Sequence, residues 1–221
     1  MADEAPGAPM TLLAALLALA LSTPVLAQPI RTDEYRVAAA AGRLGTVSGR
    51  AFEEPRARRG AETPLAGFGV TLLPRSDAFL ARLARLRDDA REDLKAYRTS
   101  ARLLVDARRD YERALADAGA ADLARYTVVE PDGTFRFESV PAGAWIVVGL
   151  RPVFVGKDAG PPRPKEKETF ARQPRLVGYH AVSVWIREVD VVPAGVASVT
   201  LTDRNVWMTA IEEKRVLDAG P

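Results

Sequence analysis

From Ser76 to Arg125 the chain runs fifty residues with no proline and one glycine, Gly119. Phe79, Leu83, Leu86, Ala90, Leu94, Tyr97, Ala101, Leu104, Tyr111, Leu115 and Ala118 recur at steps of three and four, interrupted once where Arg108 takes the stripe. Side chains so spaced share one face of a helix, so the segment predicts an amphipathic, coiled-coil-like element. A single helix of this length would reach about 65–70 Å. The flanking segments alternate with period two, as strands do. Strands before and after the helix can share one sheet system only if the chain returns, which argues for a helical hairpin over 76–125. Thr99 or Ser100 could cap a second helix, which puts the turn near Tyr97–Ser100, and Ser76 with Asp77 supplies the first cap.

Charge narrows the function of this segment. It holds 11 basic and 10 acidic residues. Asp88–Arg91, Glu92–Lys95, Asp106–Arg109 and Asp110–Arg113 are opposite charges three apart, each worth a few tenths of a kcal/mol. This is a solvated face of mixed sign, not the one-signed patch that nucleic acid requires. The whole chain has Lys+Arg 31 against Asp+Glu 29, so no nucleic-acid partner is expected. At 48% hydrophobic it has material for a core.

There are no cysteines and one histidine, His180. Disulfides, thiolate nucleophiles and cysteine-based zinc sites are thereby excluded. Residues 12–21, LLAALLALAL, are followed by small residues at Val25 and Ala27. The pattern is that of a secretory signal over 1–27, cut after Ala27, because ten apolar residues cannot span a bilayer. The acidic MADEAPGAP before it departs from the positive start expected of a signal and makes Met10 a second candidate start. The expected location is periplasmic or secreted, with no membrane anchor after cleavage. Residues 28–43 lack a period and suggest a loosely packed lead-in.

The remainder is β-patterned. LGTVSGRAF (44–52) and LAGFGVTLLP (65–74) precede the helices. RYTVVEPDGTFRFESV (125–140) follows, with Asp132-Gly133 in place for a tight hairpin. VPAG at 140–143 and again at 192–195 marks two further turns. Residues 156–175 are rich in proline and charge and suggest a mobile loop. The last strands end near 213, leaving a tail at 214–221.

In order, Gly45-Thr-Val47-Ser-Gly49, Pro64-Leu65-Ala-Gly67, Asp132-Gly133-Thr-Phe135-Arg-Phe137 and Pro141-Ala-Gly143 with Trp145 resemble the carboxypeptidase regulatory-like domain family. The resemblance implies a transthyretin-like (prealbumin-like) antiparallel β-sandwich over 44–213. It is covered well by 45–74 and 126–155 and loosely by 182–203. The helical insertion is foreign to that pattern, since the family passes there through a short loop. The fold class expected is therefore mainly β with an α insertion. The family's members are accessory or scaffold modules, so the resemblance implies no catalytic residues and no cofactor.

The residues agree. One histidine cannot make a zinc site alone. Ser183, His180 and Asp190 could be assembled on paper, but no GxSxG frame supports them. The expected function is a non-catalytic envelope module that docks a surface or envelope protein through Leu94, Tyr97, Leu104 and Tyr111 of the insertion. A second expectation is a polysaccharide partner stacked on Trp185 or Trp207, since tryptophan faces suit sugar rings. A third is a component like the periplasmic adaptors.

Overall fold

The computed structural model describes residues 31–57, 60–156 and 174–217. The signal, the first part of the lead-in and most of the charged loop 156–175 lie outside the described residues. The architecture is mainly β, with two sheets and three α-helices among those residues. In the first sheet, β1 (Leu44–Glu53) lies between β5 (Thr134–Pro141), antiparallel to it, and β8 (Val196–Thr202), parallel to it. The two-residue β2 (Thr63–Pro64) pairs with the far end of β1. The second sheet is antiparallel throughout, in the order β4-β3-β6-β7-β9. Its strands are β3 (Gly69–Pro74), β4 (Arg125–Val128), β6 (Gly143–Gly156), β7 (Pro174–Val191) and β9 (Met208–Leu217).

The two sheets share one core. The Trp185 indole of β7 stacks on Phe68 and donates Nε1–H to the Thr202 carbonyl of β8 at 2.8 Å. Gly149, opposite Trp185 in the register, leaves room for that ring and for Leu201 of the facing sheet. Along β1 the alternate residues Val47 and Ala51 are buried, as period two requires.

The central strands β3 and β6 do not alternate. Val70 to Leu73 and Trp145 to Val148 are all buried, which requires cover on both faces. The helices supply the second cover. α2 (Asp77–Glu92) and α3 (Leu94–Asp117) fold back on one another, with Phe79 stacked on Tyr111 at 4.7 Å and Arg82 paired with Asp110 at 2.7 Å. Tyr111 Oη donates to the Pro74 carbonyl, and Arg108 Nη1 donates to Thr71 Oγ1. The layers are thus sheet, sheet and helices.

The break between the helices is at Asp93, not at Tyr97–Ser100. Asp93 is extended (φ −133, ψ 131), and its carboxylate accepts from Ala96 N at 2.9 Å. Those backbone hydrogen bonds, first to Ala96 and then to Lys95, hold its carboxyl below the usual range. Thr99 and Ser100 lie inside α3, where their hydroxyls donate back to carbonyls of Lys95, Ala96 and Tyr97. A capping residue was thus misplaced because Ser and Thr satisfy themselves this way within a helix as readily as at its end.

Four other expectations change. The lead-in contains α1 (Asp33–Ala40), whose Tyr35 is fully buried against Trp145 and donates to the Ala144 carbonyl. The Asp132-Gly133 turn forms, with Asp132 accepting from Thr134 N and Oγ1, but the strands it joins enter different sheets. Both VPAG stretches likewise carry the chain between sheets. Ala142 N bonds Arg43 O, and Ala194 N bonds Leu44 O, so the two corners are pinned to adjacent residues at the entry to β1. The last strand runs to Leu217, four residues past the expected end.

Candidate functional site

The helical stripe faces inward. Leu104 and Tyr111 are buried, and Tyr97 is half-buried against the core. Leu94, at the tip where α3 begins, is 62% exposed and stands alone among the four. The docking stripe expected from the sequence is therefore spent on covering the second sheet. Burial accounts for it, since each large apolar side chain so placed contributes about 1.5–3 kcal/mol.

The tryptophans are placed similarly. Trp185 is 1% exposed and offers no face to an external sugar. Trp207 is half-buried, and the Arg87 guanidinium of α2 lies 4.8 Å from its ring centroid. That cation–π contact fastens the helices to the start of β9. Neither indole is a free platform.

His180, Ser183 and Asp190 all lie on β7. At about 3.3 Å per residue, His180 and Asp190 stand roughly 33 Å apart along the strand. The three do not meet. His180 instead packs beside Phe154, ring centroids 5.4 Å apart.

That neighbourhood was not expected as a site. β6 and β7 run 14 and 18 residues, while β3 beside them has six. Past Arg151 the residues of β6 are exposed in succession, unlike the buried run Trp145–Val148. Arg151–Gly156 therefore project about 20 Å as a three-stranded ribbon with β7 and β9. Val153, Phe154, Val155, Tyr179 and Val216 are all exposed on it, Phe154 at 49%. Lys214 Nζ lies 5.4 Å from the Phe154 ring centroid. β9 is the edge strand of its sheet, and β7 is its only strand partner among the described residues. An edge strand is a template for a further strand where its backbone groups are open, and α3 packs along part of β9. The residues joining β6 to β7 carry Lys157, Arg163, Lys165, Lys167 and Arg172 against Asp158, Glu166 and Glu168.

A second feature lies at the opposite edge of the same sheet. Thr71, Arg108, Glu112, Ala121, Ala124, Arg125 and Tyr126 line a cleft of about 380 Å³ between α3 and β4. Arg108 is positioned by Thr71 at 2.8 Å and by Glu112 at 3.5 Å. Arg125 donates Nη1–H to the Glu138 carbonyl at 2.7 Å, and its partial burial lowers its pKa from the ordinary guanidinium value. Arg108 and Arg125 reach to opposite faces of the sheet, the first to Thr71 on the helix side and the second to the Glu138 carbonyl of β5.

No protein-family model matches the sequence, and no curated protein matches it. The likeness of its β segments to the carboxypeptidase regulatory-like pattern therefore rests on the residues quoted for it. Among solved structures, a candidate carbohydrate-binding protein of Pseudomonas aeruginosa is 16% identical with a TM-score of 0.40, over 72% of this chain and 88% of that one. The pilus backbone of Streptococcus pneumoniae is 12% identical with a TM-score of 0.20, over 46% of this chain and 29% of that one.

Proposed function

We propose that the chain is a non-catalytic module of the periplasm or cell exterior, built on a transthyretin-like sandwich. Its β6–β7–β9 ribbon recognises an extended segment of another envelope protein. The observation that supports this reading is the ribbon itself. Large apolar side chains elsewhere are mostly drawn into the core, while Val153, Phe154, Val155, Tyr179 and Val216 of the ribbon are exposed. Main-chain hydrogen bonds along β9 would supply affinity, and Phe154, Tyr179 and Val216 would select apolar side chains on the incoming strand.

The helical insertion then has a different role from a docking arm. It closes the second sheet and braces the ribbon, at its base through Arg87 on Trp207 and further out through Arg98 against Glu213 at 3.6 Å.

The test compares two variants for partner recovery from the envelope fraction. Phe154→Ser with Tyr179→Ser should lose the partner that the native chain retains. Arg102→Glu, on the exposed face of α3, should retain it. Equal recovery by the ribbon variant and the native chain would reject the proposal.

A further inference from the structure

The ribbon carries a charge pattern as well as an edge strand, and on the reading of it as a strand-binding surface that pattern specifies the strand. Along one face of β9, Met208 and Ala210 are buried, while Glu212, Lys214 and Val216 are exposed. Alternate residues of a strand share a face, so the open part of this face reads acidic, basic, apolar.

The two charges are unspent. Neither Glu212 nor Lys214 forms an ion pair among the described residues. Lys214 is placed by a ring instead. Phe154 of β6 lies across Gly178 of β7, where a Cβ would stand 2.7 Å from Phe154 Cζ. Glycine at 178 thus lets the ring cross β7, and its centroid lies 5.4 Å from Lys214 Nζ on β9. His180 stands between Phe154 and Glu212 in the register, its ring centroid 5.4 Å from that of Phe154. The carboxylate of the other face is already engaged, since Glu213 meets Arg98 at 3.6 Å and Arg215 at 2.9 Å. A strand laid beside β9 therefore meets one free acid and one free base on a single face, about 7 Å apart along the strand.

We infer that the ribbon selects a segment that pairs antiparallel with β9 and carries, from its N-terminal end, an apolar, an acidic and a basic residue at every second position. These stand opposite Val216, Lys214 and Glu212. The direction continues that of the sheet, which is antiparallel throughout. Directly opposed side chains lie about 5 Å apart, where opposite charges stabilise the pairing and like charges destabilise it. A segment with its two charges exchanged sets a base against Lys214 and an acid against Glu212. A slip by one residue turns the charged side chains to the other face, so the pattern fixes register as well as identity.

The test titrates the full chain with two end-capped peptides of one composition. One has the core Val-Thr-Glu-Thr-Lys and the other the core Val-Thr-Lys-Thr-Glu. Amide chemical shifts report both the place of binding and its strength. The first peptide should bind about tenfold tighter than the second, with shifts centred on Glu212, Lys214 and Val216. Exchanging the charges of β9, by Glu212→Lys with Lys214→Glu, should invert the order of the two peptides at an unchanged melting temperature, because both side chains are exposed. If that variant unfolds, Glu212→Gln with Lys214→Gln takes its place and should bring the two peptides to equal affinity. Equal binding of the two peptides by the native chain, tighter binding of the second, binding of neither, or a preference unmoved by the β9 variants would each overturn the inference. The reading of the ribbon itself is decided separately, by partner recovery with Phe154→Ser and Tyr179→Ser. A partner lost in that experiment, with the peptides bound equally in this one, would leave the ribbon as the site and reject the charge pattern.

Discussion

Gly49 lies under the Phe135 ring, and a Cβ at that position would stand 2.0 Å from the ring edge. Gly49→Ala forces β1 and β5 apart and should cost about 1–3 kcal/mol, as overpacking does. The measurement is the urea midpoint at unchanged slope. Tyr111 is a second residue whose role is specific. Burial pushes its phenol well above the ordinary tyrosine range, and burial raises Tyr35 as well. The folded chain therefore keeps protons that the unfolded chain releases near pH 10. Stability from this source is whole below that pH and falls as pH rises towards the folded values. Melting temperature should drop between about pH 9.5 and 11.5, and Tyr111→Phe should flatten the drop. At neutral pH the same change should cost about 1 kcal/mol, through the lost hydrogen bond to Pro74. At this scale the sequence was legible where chemistry is local. Asp132 and Gly133 make the turn their order implies and Phe135 is buried, although the strands that the turn joins enter different sheets. The seat of Tyr126 was not legible, because it depends on Gly69, which is distant in sequence.

The helical insertion is the element whose character changed most. Its period was legible, since Leu83, Leu104, Tyr111 and Leu115 all lie on the buried face. What the face packs against was not, although the run Trp145–Val148 contained the clue. A strand apolar at consecutive residues needs cover on both sides, and one facing sheet covers only one. Leu104→Ala or Leu115→Ala should cost about 2–5 kcal/mol, as core truncations do, measured by chemical denaturation. A short linker in place of 77–117 would bare Leu73, Ile146 and Val148. That variant should bind a hydrophobic dye and lose sharp amide dispersion. If it melted cooperatively like the native chain, the helices would be an appendage after all. The break at Asp93 was missed because an aspartate amid charged neighbours gives no composition signal. Its lowered carboxyl adds stability that is present above about pH 4 and is lost as pH falls through the folded value. The Ala96 amide should therefore shift in acid before the core opens.

Across the whole molecule, the two corners pinned to Arg43 and Leu44 gather the sheet crossings at one end, which α1 closes with Tyr35. The ribbon leaves the sheet beyond Leu150, and the Tyr126 cleft sits on the opposite lateral edge. The proposed address has its own check: mass spectrometry of the protein isolated from its source should give Gln28 as the mature N-terminus. The central claim is that the helices are a structural layer and that the partner meets the ribbon. It is tested most directly by a photo-crosslinking residue placed singly at Phe154, at Val216 and at Arg102 in intact cells. The account predicts one crosslinked species from Phe154 and Val216 and none from Arg102. Crosslinking from Arg102 with none from the two ribbon positions would contradict it.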